Sequence, residues 1–167
     1  MTHKTTVEGS GPTRKITIER TYKGRVEDIW ELWTTKEGIE SWWGPGGFKV
    51  EVRKLDLRVG GELHYAMIAV ALEMVEYMKS QGMPTSHDAR VKYTEIKPKT
   101  RLAYQNLVDF VPGVAAYHVG TVVELKEISG GVQLKLTLDA MHDEEWTQRA
   151  VMGWEAELGK LADALAR

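Results

Sequence analysis

The chain has 167 residues, 43% of them hydrophobic and 28% charged, with a net charge of −2 and no cysteine. That size and balance describe one globular domain with a real core. Interspersed charge lacks the basic footprint of a nucleic-acid binder, and the missing cysteines exclude disulfides and thiolate chemistry and are compatible with the cytoplasm.

The opening stretch, MTHKTTVEGSGPTRK, is polar, has no apolar segment of the secretory type, and reads as a flexible leader over residues 1–13. From Arg14 onward one domain continues to the C-terminus. Ile16 and Ile18 alternate with Lys15, Thr17 and Glu19, as in a half-buried strand. The period then changes. Val26, Ile29, Trp30 and Trp33 recur at helical spacing, with Glu27 and Asp28 in the first turn, where the helix dipole favours acids. A second short helix, Lys36 to Trp42, ends at the Gly44-Pro45-Gly46-Gly47 turn.

Strands follow. Phe48, Val50 and Val52 share one parity and Leu55, Leu57 and Val59 the other, which predicts a bulge near Arg53–Lys54. Gly60-Gly61 turns the chain into ELHYAMIAV. The stretch Ala71 to Gly82 reads as an inserted helix, with Gly82 as its stop, and Met83 to Asp88 as a loop. Three more strands are predicted in ARVKYTEIK, RLAYQNLVDF and YHVGTVVELKEI. The alternating Val132, Leu134, Leu136 and Leu138 mark a final one. The longest apolar run, Tyr65 to Leu72, is too short to span a bilayer. One long helix, Asp143 to Ala166, closes the chain, with an apolar stripe of Trp146, Ala150, Trp154, Leu158, Leu161 and Leu165. Strands this closely spaced need no crossover helices, so the class is α+β, with a curved antiparallel sheet around the last helix.

VEDIWELWTTKEGIESWWGP, LDLRVGGELHY and HDEEWTQRAVMGWEAELGKLADAL, in that order, resemble the prokaryotic branch of the START-like (SRPBCC) superfamily. More narrowly, they resemble the C-terminal domain of activators of the ninety-kilodalton heat-shock chaperone's ATPase. The resemblance implies a helix-grip fold with a cavity between sheet and C-terminal helix. The chaperone-binding domain of those activators has no counterpart here, which argues against a chaperone partner. Related small domains can pair, which leaves a homodimer open.

Trp42 and Trp43 are adjacent, so they cannot share one face. One enters the core; the other either packs on the last helix or walls the cavity entrance, where its apolar face and single N–H suit an amphipathic ligand. Mid-helix Ala150 and Gly153 either pack closely on a strand or leave room for a ligand, with Trp146 and Trp154 at the ends of that space. Tyr104, Asn106 and Tyr117 sit on strand faces that otherwise point inward, and Tyr65 and Met67 point to the same region if Leu63 faces in. A buried Asn106 needs a partner. In MHDEEW, Asp143 reads as a helix N-cap rather than a metal ligand, and no metal spacing or nucleotide loop is present. The expected function is binding of a small apolar or amphipathic molecule, with no cofactor. The alternatives are a cyclase or isomerase using Tyr104, Asn106 or His118 for proton transfer, or modulation of a chaperone ATPase.

Overall fold

The computed structural model describes residues 3–9 and 14–167. In chain order these form strands β1 (His3–Glu8) and β2 (Lys15–Tyr22), helices α1 (Val26–Thr34) and α2 (Lys36–Trp42), and strands β3 (Phe48–Leu55) and β4 (Glu62–Ala69). Helix α3 (Leu72–Ser80), strands β5 (Ser86–Lys97), β6 (Arg101–Val108), β7 (Tyr117–Ile128) and β8 (Gly131–Asp139), and helix α4 (Glu144–Leu165) complete the chain. All strands join one antiparallel sheet in the order β1-β2-β8-β7-β6-β5-β4-β3.

Because β2 and β3 lie far apart in that order, the α1–α2 pair carries the chain from one side of the sheet to the other. It contacts α4 on the way. The sheet, α4 and this pair enclose a single core. Ile18, Ile29, Trp42, Leu63, Leu134, Leu136, Leu158 and Leu161 are all buried there. This is the α+β helix-grip architecture expected from the order of elements. The register shifts between Val52 and Lys54, at the predicted bulge, and again between Tyr93 and Glu95. Among the described residues no helix is long and apolar enough to cross a membrane.

Three expectations need correction. The leader is not without structure: His3–Glu8 pairs with β2 as the edge strand β1, while residues 1, 2 and 10–13 lie outside the described residues. Its backbone bonds hold it where side-chain burial does not, since Val7 stays exposed. The segment expected as loop up to Asp88 enters β5 at Ser86, where backbone pairing with Ile68 extends the ladder through polar residues. The buried stripe of α4 also shifts by one position in its first half, to Thr147 and Val151, before Leu158 and Leu161 follow the predicted phase. Thr147 is pinned there by its hydroxyl, which donates to the Asp143 carbonyl at 2.7 Å and accepts from the Met141 N–H at 2.9 Å.

Asp143 caps α4 as expected, accepting from the Trp146 N–H at 2.8 Å, with Glu144 and Glu145 in the first turn. Helix α3 has no buried residue. It is anchored by the Gly47 carbonyl, which accepts from Val70 and Ala71 at 2.8 and 3.1 Å. Gly47 holds φ at 86°, and a Cβ there would come within 3.3 Å of Ala71 Cβ. Both the conformation and the close approach favour glycine.

Candidate functional site

The corner where α1 meets α2 is built from tryptophan. Trp33 and Trp42 pack edge to face at 4.6 Å, and Trp33 stacks on Trp154 of α4 at 6.0 Å. Trp42 is fully buried, and its Nε1 donates to the Leu32 carbonyl at 2.6 Å. Trp33 Nε1 donates to the Tyr104 hydroxyl at 3.3 Å. Trp43 follows a different course. It is the C-cap of α2, with extended backbone at φ −71° and ψ 156°, so its ring leaves the helix and turns toward the sheet. There it meets Tyr65 edge-on at 5.3 Å and lies over Tyr104 at 6.3 Å. Its Nε1 is buried and has no hydrogen-bond partner.

Trp43 also lines a cavity of about 220 Å³ between the sheet and α4. Of the residues singled out from the sequence, Trp43, Tyr65, Met67, Tyr104, Asn106, Ala150 and Trp154 line this space together. Asn106 has the company it needs: its Nδ2 donates to the Val119 carbonyl at 3.1 Å and to Thr121 Oγ1 at 2.7 Å. A larger depression of about 480 Å³ lies between α1, α2 and the end of α4, lined by Asp28, Glu31, Glu37 and the C-terminal residues. Six of its ten lining residues are charged or polar and none is aromatic, so the ring-walled cavity under α4 is the better-formed site.

Tyr117, Trp146 and Gly153 do not line the cavity. Tyr117 sits beyond one end, where its hydroxyl contacts His142 Nδ1 at 2.6 Å and accepts from the His142 N–H at 2.9 Å. Trp146 joins that outer cluster, 6.0 Å from the His142 ring and 5.8 Å from Phe110. Phe110, exposed by 45%, does line the cavity and packs on His87 at 5.4 Å, so the rings of His87, Phe110 and Trp146 cluster at this end. At Gly153 a Cβ would meet nothing within 4 Å, so its smallness neither serves close strand packing nor makes room in the cavity. His118, a candidate for proton transfer, is exposed on β7.

Glu157 completes the site and was not anticipated. It lines the cavity from α4, one turn beyond Trp154. Burial pushes its carboxyl up to about 7, against smaller opposing effects of the Gly44 backbone N–H and the Lys160 ammonium. Lys160 is engaged elsewhere, donating to the Gly44 carbonyl at 2.8 Å and the Trp43 carbonyl at 3.5 Å. Burial likewise raises the phenols of Tyr65 and Tyr104 well above their ordinary range, and the nearby Glu157 charge adds to both. The signal for Glu157 was present in its spacing: Ala150, Trp154, Glu157 and Leu161 fall at i, i+4, i+7 and i+11, one face of a helix. Among the described residues no group of three or more His, Asp or Glu side chains could hold a metal ion.

Solved structures share this fold. One protein from Chromobacterium violaceum matches with a TM-score of 0.76 at 22% identity, covering 92% of this chain and 97% of that one. Another, from Mycobacterium smegmatis, matches with a TM-score of 0.72 at 18% identity, covering 98% of each chain. No curated protein matches the chain. The family model for Activator of Hsp90 ATPase homolog 1-like protein matches residues 23–166, and the chain belongs to that family.

Proposed function

We propose that the protein binds a small apolar or amphipathic molecule in the cavity between the sheet and α4. The observation that carries this reading is the wall of Trp43. A buried indole N–H with no partner borders an otherwise largely apolar space of about 220 Å³. An orphaned buried donor costs about 1–3 kcal/mol, and a ligand oxygen would offset that cost while the rings cover its hydrocarbon. The space equals roughly seven waters at about 30 Å³ each, enough for one ring and a short chain.

Native mass spectrometry of freshly purified protein, compared with its denatured mass, tests the reading, with Ala150→Trp as its control. Ala150 faces the cavity whereas Gly153 does not, so the larger ring at position 150 fills the space. A stoichiometric adduct on the wild-type protein that is absent from a folded Ala150→Trp variant supports binding here. An adduct that survives unchanged in that variant sinks the placement.

Acid–base turnover in the same cavity is a second reading, favoured by Glu157. Its carboxyl, at about 7, is poised to hold or release a proton near neutrality. In this reading Glu157 replaces Tyr104, Asn106 and His118 as the proton-transfer group. Tyr104 holds its proton too tightly, Asn106 is already engaged, and His118 is exposed. A pH–rate profile governed by a group near 7 and lost in Glu157→Gln would support turnover; no turnover of enolisable carbonyl compounds would count against it.

A further inference from the structure

We propose that the cavity selects an amino alcohol: a small arylalkyl ammonium whose nitrogen sits at the Glu157 carboxylate, whose hydroxyl oxygen accepts from the orphaned Trp43 N–H, and whose hydrocarbon lies among Trp43, Tyr65, Tyr104 and Trp154. The inference rests on the cavity-binding reading and gives its ligand a chemical class. Three observations carry it.

Glu157 is a cavity-facing carboxyl that makes no ion pair with any described residue. Lys160, the nearest cation, lies one turn along the same helix and spends its ammonium on the Gly44 and Trp43 carbonyls. The polar group left to Glu157 by the protein is the Gly44 backbone N–H. A half-buried carboxylate whose nearest cation is spent on carbonyls is costly to ionise, and a ligand ammonium supplies the missing partner.

The other titratable groups around the cavity are already engaged, neutral or outside it. Asp139 on β8 accepts from the Gly120 N–H at 2.7 Å and pairs with Lys15. His87 on β5 faces Asp109 at 3.8 Å and packs on Phe110. Arg90, also on β5, is exposed and borders the outer surface as well as the cavity. Tyr65, Tyr93 and Tyr104 keep their protons, since burial raises all three. Glu157 is therefore the acid at the cavity left free to answer a cation, and neither Lys160 nor the exposed Arg90 forms an ion pair with it.

The rings beside it favour the same ligand. Trp43, Tyr65 and Tyr104 lie within 6.3 Å of one another in the pairs Trp43–Tyr65 and Trp43–Tyr104, and Trp154 walls the α4 side. Aromatic faces are electron-rich and disfavour an anion while attracting a cation. Along α4, Ala150 and Glu157 are seven residues apart, which spans about 10 Å at 1.5 Å per residue. That matches a ring with a short aminoalkyl chain.

The test is binding of 2-amino-1-phenylethanol and its neutral counterpart 1-phenylethanol, which share the hydroxyl and differ in the amine, followed by tryptophan fluorescence and calorimetry. In the wild-type protein at pH 8 the amino alcohol should bind at least tenfold tighter than the neutral alcohol. Its affinity should fall about tenfold between pH 8 and pH 6 as Glu157 takes up a proton, since the carboxyl titrates at about 7. The neutral alcohol's affinity should rise slightly or stay level. Glu157→Gln should abolish both the preference and the pH dependence while still binding the neutral alcohol. The pH series on the wild-type protein makes the same test without any variant. Equal affinities for the two probes at pH 8, or a preference that persists in Glu157→Gln, would overturn the amine assignment and leave the cavity-binding reading standing. Failure of both probes to bind would overturn both.

Discussion

Trp42 and Trp43 are consecutive and almost equally buried, at 0% and 6% exposure, yet they do different work. Trp42 is satisfied everywhere: its ring packs against Trp33 and its N–H reaches the Leu32 carbonyl. Trp43 has its rings covered and its N–H unanswered. Burial therefore does not tell these two tryptophans apart; the state of their N–H groups does. The two residues part because α2 ends between them. Trp42 is the last helical residue, and the extended backbone at Trp43 swings the next side chain onto the sheet.

The strongest way to break this comparison is to truncate each ring. Trp42→Ala removes a fully enclosed indole and its hydrogen bond, and should cost about 3–5 kcal/mol, a large part of the 5–15 kcal/mol that holds a typical domain together. Trp43→Phe keeps an aromatic face, removes the unpartnered donor and trims one fused ring beside the cavity, so relief of the donor offsets the lost packing and stability should change by less than about 1 kcal/mol. Urea denaturation of both variants checks the contrast. A Trp43→Phe variant destabilised by about 2 kcal/mol or more would mean that the Trp43 indole is as much a part of the core as that of Trp42.

Much of the fold was legible because its signals are local. The alternation from Val132 to Leu138 is buried residue by residue on β8, the parity switch after Val52 is a real register shift, and Asp143 caps α4. The misses have a common physical origin in contacts distant in sequence. Strand β1 carries one apolar side chain, Val7, and exists through pairing with β2, so no periodicity announces it. The phase of α4 slips because Thr147 bonds back to Asp143 and Met141, a preference that apolar spacing does not encode. At the candidate site strand parity points to Tyr104, which lines the cavity, and equally to Tyr117, which does not. Glu157 shares a helix face with Ala150 and Trp154, but an acid within a charged helix ordinarily faces water, so that spacing alone did not single it out; its desolvation depends on the turn after α2.

Glu157 sharpens the comparison, since it is the second polar group on the cavity wall without a full set of partners. Its carboxyl titrates at about 7 in the folded protein and near 4.5 when unfolded. The folded state therefore keeps a proton that the unfolded chain gives up. Stability from this group is full below about 4.5 and is lost as pH rises through 7. At about 1.4 kcal/mol per pH unit over the gap between 4.5 and 7, the loss by pH 8 is on the order of 3–4 kcal/mol. Glu62, hydrogen-bonded to His64, and Glu95, hydrogen-bonded to Arg101, are held below the usual carboxylate range and titrate beneath this window. Thermal unfolding at pH 5 and pH 8 should show the wild type losing stability with rising pH and Glu157→Gln losing much less. Parallel pH curves for the two proteins would mean that Glu157 is ionised and solvated.

The smallest effect separates the cavity wall from the helix flank beside it. Ala150 and Gly153 are both small residues of α4 and look equivalent in sequence, but Ala150 lines the cavity and Gly153 does not. Since a Cβ at Gly153 would meet nothing within 4 Å, the glycine there carries only its entropic cost in a helix. Gly153→Ala should stabilise the protein by about 0.5–1 kcal/mol and leave probe affinity unchanged. Ala150→Gly should do the reverse in stability, and it enlarges the cavity. Denaturant midpoints and probe titrations on the same two variants decide the matter. If Gly153→Ala weakened binding while stabilising the helix, the flank of α4 would belong to the site, and the cavity would have to extend one residue further round the helix than its lining indicates.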